Sequence, residues 1–215
     1  MPEHQGERLR GIAERLSSAG LSLQENTVRK AILTAFADQG KAPSVEDLAH
    51  ALGLPLASVR AACRTLAAAD LIIWQDDITR IVSAYPFSGV PTAHHVLLAG
   101  HTTRYAMCAI DALGMPLMLG QGARIRSMCF FCHTPVTVDI AGGMLQEVSP
   151  STLAVWLSEQ DGCCVAEVRC PVMNFFCEEA HLQAWHTRTP QERGRSLSVW
   201  EALEVGRAAF SALLT

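Results

Sequence analysis

The sequence predicts an α+β protein. An N-terminal winged-helix module, a helix-turn-helix plus a hairpin, precedes a mixed α/β domain of short strands and flanking helices. Three observations predict it. Helical periodicity with glycine stops runs through residues 1–72. Two strand-like runs around an Asp-Asp turn follow. Farther on, short strand-like runs alternate with helical ones, with no internal repeat and no low-complexity tract.

The first elements are helices over Glu7 to Leu16 and Thr27 to Ala37, stopped by the glycines of "SAG" and "DQG". In "SVEDLAHALGLPLASVRAACRTLAAADLI", residues 44–72, Ser44 is placed to cap a helix, with Asp47 three residues on. Ala49, Gly53 and Val59 then follow helix-turn-helix spacing: a small residue at the helix contact, a turn glycine, an apolar anchor. "LIIWQDDITRIVSAY" supplies the hairpin, with Asp76 and Asp77 at its tip. "AYPFSGVPTAHH", residues 84–95, reads as a linker because of Pro86, Gly89 and Pro91. The expected division is therefore 1–83, 84–95 and 96–215. In the last part the sequence predicts a helix after Cys108 and strands near Ala123–Met128, Val136–Ile140, Leu153–Leu157 and Val165–Arg169. Two late helices follow, about Phe176–His186 and Ser198–Leu213.

Composition bounds the function. The 215 residues are 49% hydrophobic and 18% charged, enough for a packed core without crosslinks. Net charge is −4, and positions 1–80 hold nine basic against ten acidic residues. The second helix of the helix-turn-helix offers only Arg60 and Arg64 among alanines, so it is expected to pack against a neighbour, and nucleic acid is not an expected partner. No run reaches the roughly 18 apolar residues of a membrane span. The polar amphipathic N-terminus does not resemble a signal peptide, so a cytoplasmic setting is expected, with no membrane partner. Cytoplasmic thiols stay reduced, so the eight cysteines need a reason other than disulfides.

Three stretches could carry chemistry. Cys108 and Asp111 stand at i, i+3 on one helix face, at the start of an apolar helix. A helix N-terminus favours the thiolate, whereas a nearby ionised Asp opposes it or itself takes up a proton. "CFFCH", Cys129 to His133, could be half a zinc site completed by Cys163 and Cys164, or a redox pair. Adjacent cysteines are an unusual zinc pair, and "TPVTV" continues as strand rather than helix, so a local structural role is the reading adopted. Cys170 ends a strand before Pro171, where a side chain can enter a site, while Cys177 is read as packed. His94, His95, His101, His181 and His186 show no metal-ligand spacing and are read as non-ligands.

Taken in order, "RYAMCAIDALGMPLMLGQGARI", "SMCFFCHTPV" and "RCPVMNFF" resemble three blocks of the organomercurial (alkylmercury) lyases, from about residue 93 to the final helix. The winged helix matches that family by pattern only. The resemblance implies a catalytic trio of Cys108, Asp111 and Cys170, with the two thiols and the carboxylate holding the mercury of substrate and product. It also implies a structural role for Cys129. The implied reaction is protonolysis of the carbon–mercury bond, giving a hydrocarbon and Hg(II), in mercury detoxification. No intrinsic cofactor is implied; external thiols support turnover, and a mercuric reductase is a candidate receiver of Hg(II). Pro171 and Met107 depart from the family pattern, and Cys132, Cys163, Cys164 and Cys177 lie outside it. Two rivals share the thiols and the module: a metal-sensing transcriptional regulator and a binding-only metal protein of the same fold.

Overall fold

The computed structural model describes residues 11–75, 80–98, 103–159 and 169–214. Four helices come first: α1 (Gly11–Ser18), α2 (Leu23–Gln39), α3 (Val45–Leu52) and α4 (Leu56–Ala68). Ser22 and Glu25 form a reciprocal capping box that starts α2, and Ser44 caps α3 through the Asp47 N–H. Gly53 ends α3 at φ 63°, the left-handed turn the helix-turn-helix needs. Val59, Ala62, Cys63 and Leu66 form the buried face of α4. Ala57, Ala61, Arg64 and Ala68 face outward. The alanines expected to pack against a neighbour are therefore mostly on the exposed side, because the larger Val59 and Leu66 take the core positions.

The hairpin strands β1 (Ile72–Gln75) and β2 (Arg80–Ala84) pair antiparallel, and they do not stand apart. They form one end of an eight-stranded antiparallel sheet. Its other strands are β3 (Phe87–Ser88), β4 (His94–Leu98), β5 (Thr103–Ala106), β6 (Ala123–Met128), β7 (Pro135–Ala141) and β8 (Met144–Ser149). The order is β1-β2-β3-β5-β4-β6-β7-β8. The stretch expected as a linker thus carries β3 and the start of β4, and it is buried from Ser83 to Ser88. Its proline and glycine serve turns inside a sheet rather than a solvated tether. Asp76 and Asp77 lie outside the described residues.

A second sheet of order β10-β9-β11 comprises β9 (Ala154–Ser158), β10 (Phe175–Phe176) and β11 (Gly194–Ser198). Three more helices complete the described fold: α5 (Ala109–Leu119), α6 (Glu179–Arg188) and α7 (Val199–Phe210). Arg169 lies in a turn, and the rest of the strand expected over Val165–Arg169 is outside the described residues. Among the described residues no helix is long and apolar enough to cross a membrane.

Two hydrophobic cores result. The larger runs from α2 and α4 through the eight-stranded sheet to α5 and α7. The smaller gathers Cys129, Ala154, Trp156, Phe176, Cys177, Leu182 and Trp185. Within the larger core α5 is buried on nearly every side. Gly114 lets it approach α7: a Cβ there would overlap the Phe210 ring, and one on Gly206 would stand 2.9 Å from the Gly114 nitrogen. Buried Arg104 of β5 donates to the Ala37 and Asp38 carbonyls at the end of α2, and Arg29 donates to the Leu213 carbonyl at 2.7 Å. These bonds hold the N-terminal helices onto the rest of the chain.

Candidate active site

Strand β5 runs into α5, and Cys108 is the residue where one becomes the other. It caps α5 with extended backbone, φ −153° and ψ 177°, and its Sγ accepts from the Asp111 N–H at 3.4 Å. The i, i+3 spacing therefore works as a thiol version of an N-cap. It places Asp111 in the first turn with its carboxyl beside the sulfur.

Cys170 reaches the same point from far along the chain. It lies in a turn closed by Met173 N–H to the Cys170 carbonyl, 3.3 Å, and Val172 N–H to the Arg169 carbonyl, 3.2 Å. The Ala109 N–H donates to the Met173 carbonyl at 2.9 Å, docking this turn on the start of α5. The Cys170 thiol then donates to Asp111 Oδ2 at 3.8 Å. One ligand atom from each of Cys108, Asp111 and Cys170 lies within 4.8 Å of the other two. All three residues are buried, at 0%, 3% and 4% exposure.

Burial decides the protonation states. It pushes the Asp111 carboxyl up to about 7, although hydrogen bonds from Cys108 and Cys170 pull the other way. Burial, then Cys170 and Asp111, hold the Cys108 thiol well above its usual range. The helix start favours the thiolate as expected, yet desolvation of a fully enclosed sulfur outweighs it. For Cys170 the hydrogen bond with Cys108 lowers the pKa, but burial and the Asp111 charge more than offset that, and the net direction is up. The resting site holds two thiols and a carboxyl that exchanges its proton near neutrality.

A polar relay that the spacing of residues gave no sign of supports the Cys170 turn. Asn174 donates to the Pro171 carbonyl at 2.8 Å, and its Oδ1 accepts from His94 Nε2 at 3.2 Å. His94 Nδ1 accepts in turn from the Ser127 hydroxyl at 3.0 Å. Burial pushes His94 down to about 4, so it is a neutral imidazole with one donor and one acceptor, and both are used. Tyr85 is also buried, and its hydroxyl donates to Asp70 Oδ1 at 3.4 Å, while Asp70 pairs with Arg15 of α1. Burial, reinforced by Cys170, Asp70 and Asp111, raises the Tyr85 pKa.

Cys129 is elsewhere. It follows β6 and faces Cys132, Cys177 and His181, whose ligand atoms lie within 4.8 Å of one another. Cys163 and Cys164, weighed above as the other half of a zinc site with "CFFCH", lie outside the described residues. Cys177, packed in the smaller core, and His181 stand there beside Cys129 and Cys132. Their i, i+4 spacing was the available signal.

Known proteins resolve which family builds such a site. A family model described as alkylmercury lyase matches residues 87–211. An alkylmercury lyase of Staphylococcus epidermidis is 31% identical over 172 residues, 79% of this chain and 75% of that protein. The chain belongs to the alkylmercury lyase family. It is an enzyme by that membership, and the family implies cleavage of the carbon–mercury bond of organomercurials. The alkylmercury lyase of Streptomyces lividans is 30% identical over 180 residues, covering 82% of this chain and 79% of that one. The lyase of Bacillus cereus is 28% identical over 169 residues, 78% and 74% of the two chains. The fold is also that of a solved structure titled the mercury-bound form of MerB2. The TM-score is 0.81 at 23% identity, over 97% of this chain and 99% of that one. Residues 31–74 match an IclR helix-turn-helix model, the segment spanning most of α2 through β1.

Proposed function

We propose that the chain protonates the carbon–mercury bond of organomercurials, with Cys108 and Cys170 as the mercury ligands and Asp111 as the proton carrier. The observation that carries this reading is the Asp111 carboxyl. It is buried, it lies within 4.8 Å of both thiol sulfurs, and its pKa is pushed up to about 7.

The step balances. An organomercury–thiol adduct exchanges its thiolate for one site cysteine, and the departing thiol keeps that cysteine's proton. The second cysteine gives its proton to the Asp111 carboxylate as its sulfur joins mercury. Mercury is a soft cation, and two thiolates raise its electron density and weaken the bond to carbon. The protonated Asp111 then delivers its proton to carbon as the carbon–mercury bond breaks. The hydrocarbon leaves, Hg(II) stays on two thiolates, and Asp111 is again a carboxylate. A positioned acid near the working pH contributes ~10²–10⁴-fold to such a transfer. The dry surroundings also keep water from competing for the proton. External thiols then remove Hg(II), and the reaction serves mercury detoxification, with a mercuric reductase as a downstream receiver.

The test is product analysis. Purified protein with methylmercury and excess thiol should release methane and thiol-bound Hg(II) in equal amounts, and Cys170→Ala should release neither at a comparable rate. Mercurial retained without methane would instead make the chain a binding-only protein.

A further inference from the structure

Four soft ligands outside the active site converge in the smaller core, and no step of the proposed reaction uses them. We propose that Cys129, Cys132, Cys177 and His181 bind one zinc ion that fixes the chain segment following Cys170. This departs from the expectation of no intrinsic cofactor, and it does not depend on the proposed reaction.

The ligand set is three sulfurs and one imidazole, a combination that structural zinc sites use. Tetrahedral zinc, with sulfur at about 2.3 Å and nitrogen at about 2.0 Å, sets sulfur–sulfur edges of about 3.8 Å and sulfur–nitrogen edges of about 3.5 Å. The Cys132 and Cys177 sulfurs are 3.7 Å apart, and Cys129 Sγ is 3.8 Å from His181 Nδ1. The Cys177 Sγ to His181 Nδ1 edge, 2.9 Å, would open by about 0.6 Å to reach that geometry.

The surroundings are built for a metal. His181 presents Nδ1 to the Cys129 and Cys177 sulfurs, and its Nε2 lies 3.3 Å from the Glu178 carboxylate. A carboxylate on the far nitrogen fixes the proton there and leaves Nδ1 free to ligate, the usual partner of a zinc-bound histidine. The Thr134 hydroxyl lies 3.1 Å from Cys132 Sγ, where it can donate to a thiolate. The "CFFCH" turn is tight: the His133 N–H donates to the Cys129 carbonyl at 2.9 Å, and the Cys129 N–H to the Thr134 carbonyl at 2.8 Å. His133 takes φ 61°, a left-handed conformation uncommon for a side chain, which lets the turn fold both cysteines to one side. No carboxylate belongs to the ligand set, so this cluster has no proton carrier of the kind Asp111 offers.

The structural consequence is a clamp. Cys129 and Cys132 come from the end of β6, whereas Cys177 and His181 follow β10, the strand entered from the Cys170 turn. A backbone hydrogen bond already links the two, Phe130 N–H to the Phe175 carbonyl at 2.8 Å. Zinc would displace three thiol protons and tie the two segments with four further bonds.

Metal analysis tests this directly. Protein purified without chelator should carry about one zinc per chain. Cobalt substitution should give the visible absorption of a tetrahedral thiolate site. Cys177→Ser and His181→Ala should lose the metal, His181→Cys should keep it, and Cys108→Ser with Cys170→Ser should still hold one zinc. The proposal is overturned if the wild-type chain is isolated without zinc and takes up none stoichiometrically at micromolar concentration. It is equally overturned if Cys177→Ser keeps the zinc while the Cys108 and Cys170 replacements release it. A Cys132–Cys177 disulfide in protein prepared under reducing conditions would also overturn it. Should the alanine variant fail to fold, the wild-type stoichiometry and cobalt spectrum still decide.

Discussion

Among the described residues the chain holds two clusters of soft ligands, and they differ in the group that joins the thiols. At the start of α5 the partner is a carboxyl, and the whole trio is buried in the larger core. Beside α6 the partner is an imidazole oriented by Glu178, and Cys132 is exposed. Burial around a carboxyl raises its pKa and makes it a proton donor near neutrality. An imidazole with its far nitrogen already hydrogen-bonded is a ligand and not a shuttle. The two sets of cysteines are thus proposed for different work, one for bond cleavage and one for holding a metal in place.

The comparison predicts opposite responses to similar changes. The largest effect falls on turnover. Cys108→Ser should cut methane release by more than about 10³-fold, whereas Cys132→Ser should leave the chemical step in single turnovers within about tenfold of wild type. Equal losses from both would erase the distinction. Stability should separate the clusters the other way. A site filled to about 1,000 times its dissociation constant adds about 4 kcal/mol. Cys177→Ser should therefore lower Tm by about 8–16 °C at 2–4 °C per kcal/mol for a chain of this size, and chelator should mimic it in the wild type.

Asp111→Asn should instead stabilise the protein. The folded pKa, about 7, lies above the unfolded value of about 3.9, so the folded state binds the proton more tightly. The stability tied to this group is complete below about pH 4 and is lost as pH rises through 7. Asparagine removes that loss. The variant should gain up to about 4 kcal/mol over wild type above pH 7, with the gap closing below about pH 4, as read from chemical denaturation across pH. A gap that does not change with pH would mean that Asp111 does not carry the raised pKa. The smallest effect is on packing. Gly114→Ala forces a methyl into the Phe210 ring and should cost about 1–3 kcal/mol, with zinc content unchanged.

How far the sequence was legible followed the range of each interaction. Cys108 and Asp111 lie within one helical turn, so their spacing alone placed them together. Cys170 enters through a turn far along the chain; its place before Pro171 suggested a site, but only the order of the family blocks joined it to Cys108 and Asp111. The strands Ala123–Met128 and Ala154–Ser158 were readable because alternate or continuous burial left a pattern. Met144–Ser149 and Gly194–Ser198 bury little besides Leu145 and Leu197, so no alternation marks them as strands. The spatial neighbours of "CFFCH" were hidden for a related reason. Cys177 and His181 lie close together in sequence, but their distance from Cys132 gives no local signal. The rise of the Cys108 pKa was equally hidden, since it comes from enclosure by elements distant in the chain.

In the proposed reaction Asp111 carries the proton to carbon while the thiols carry the metal. A single-turnover reaction of Asp111→Asn with methylmercury tests it most directly, measuring methane in the gas phase and mercury retained on the protein. The expected result is full retention of the mercurial with methane released at about 1% of the wild-type rate or less. Methane at the wild-type rate from that variant would contradict it.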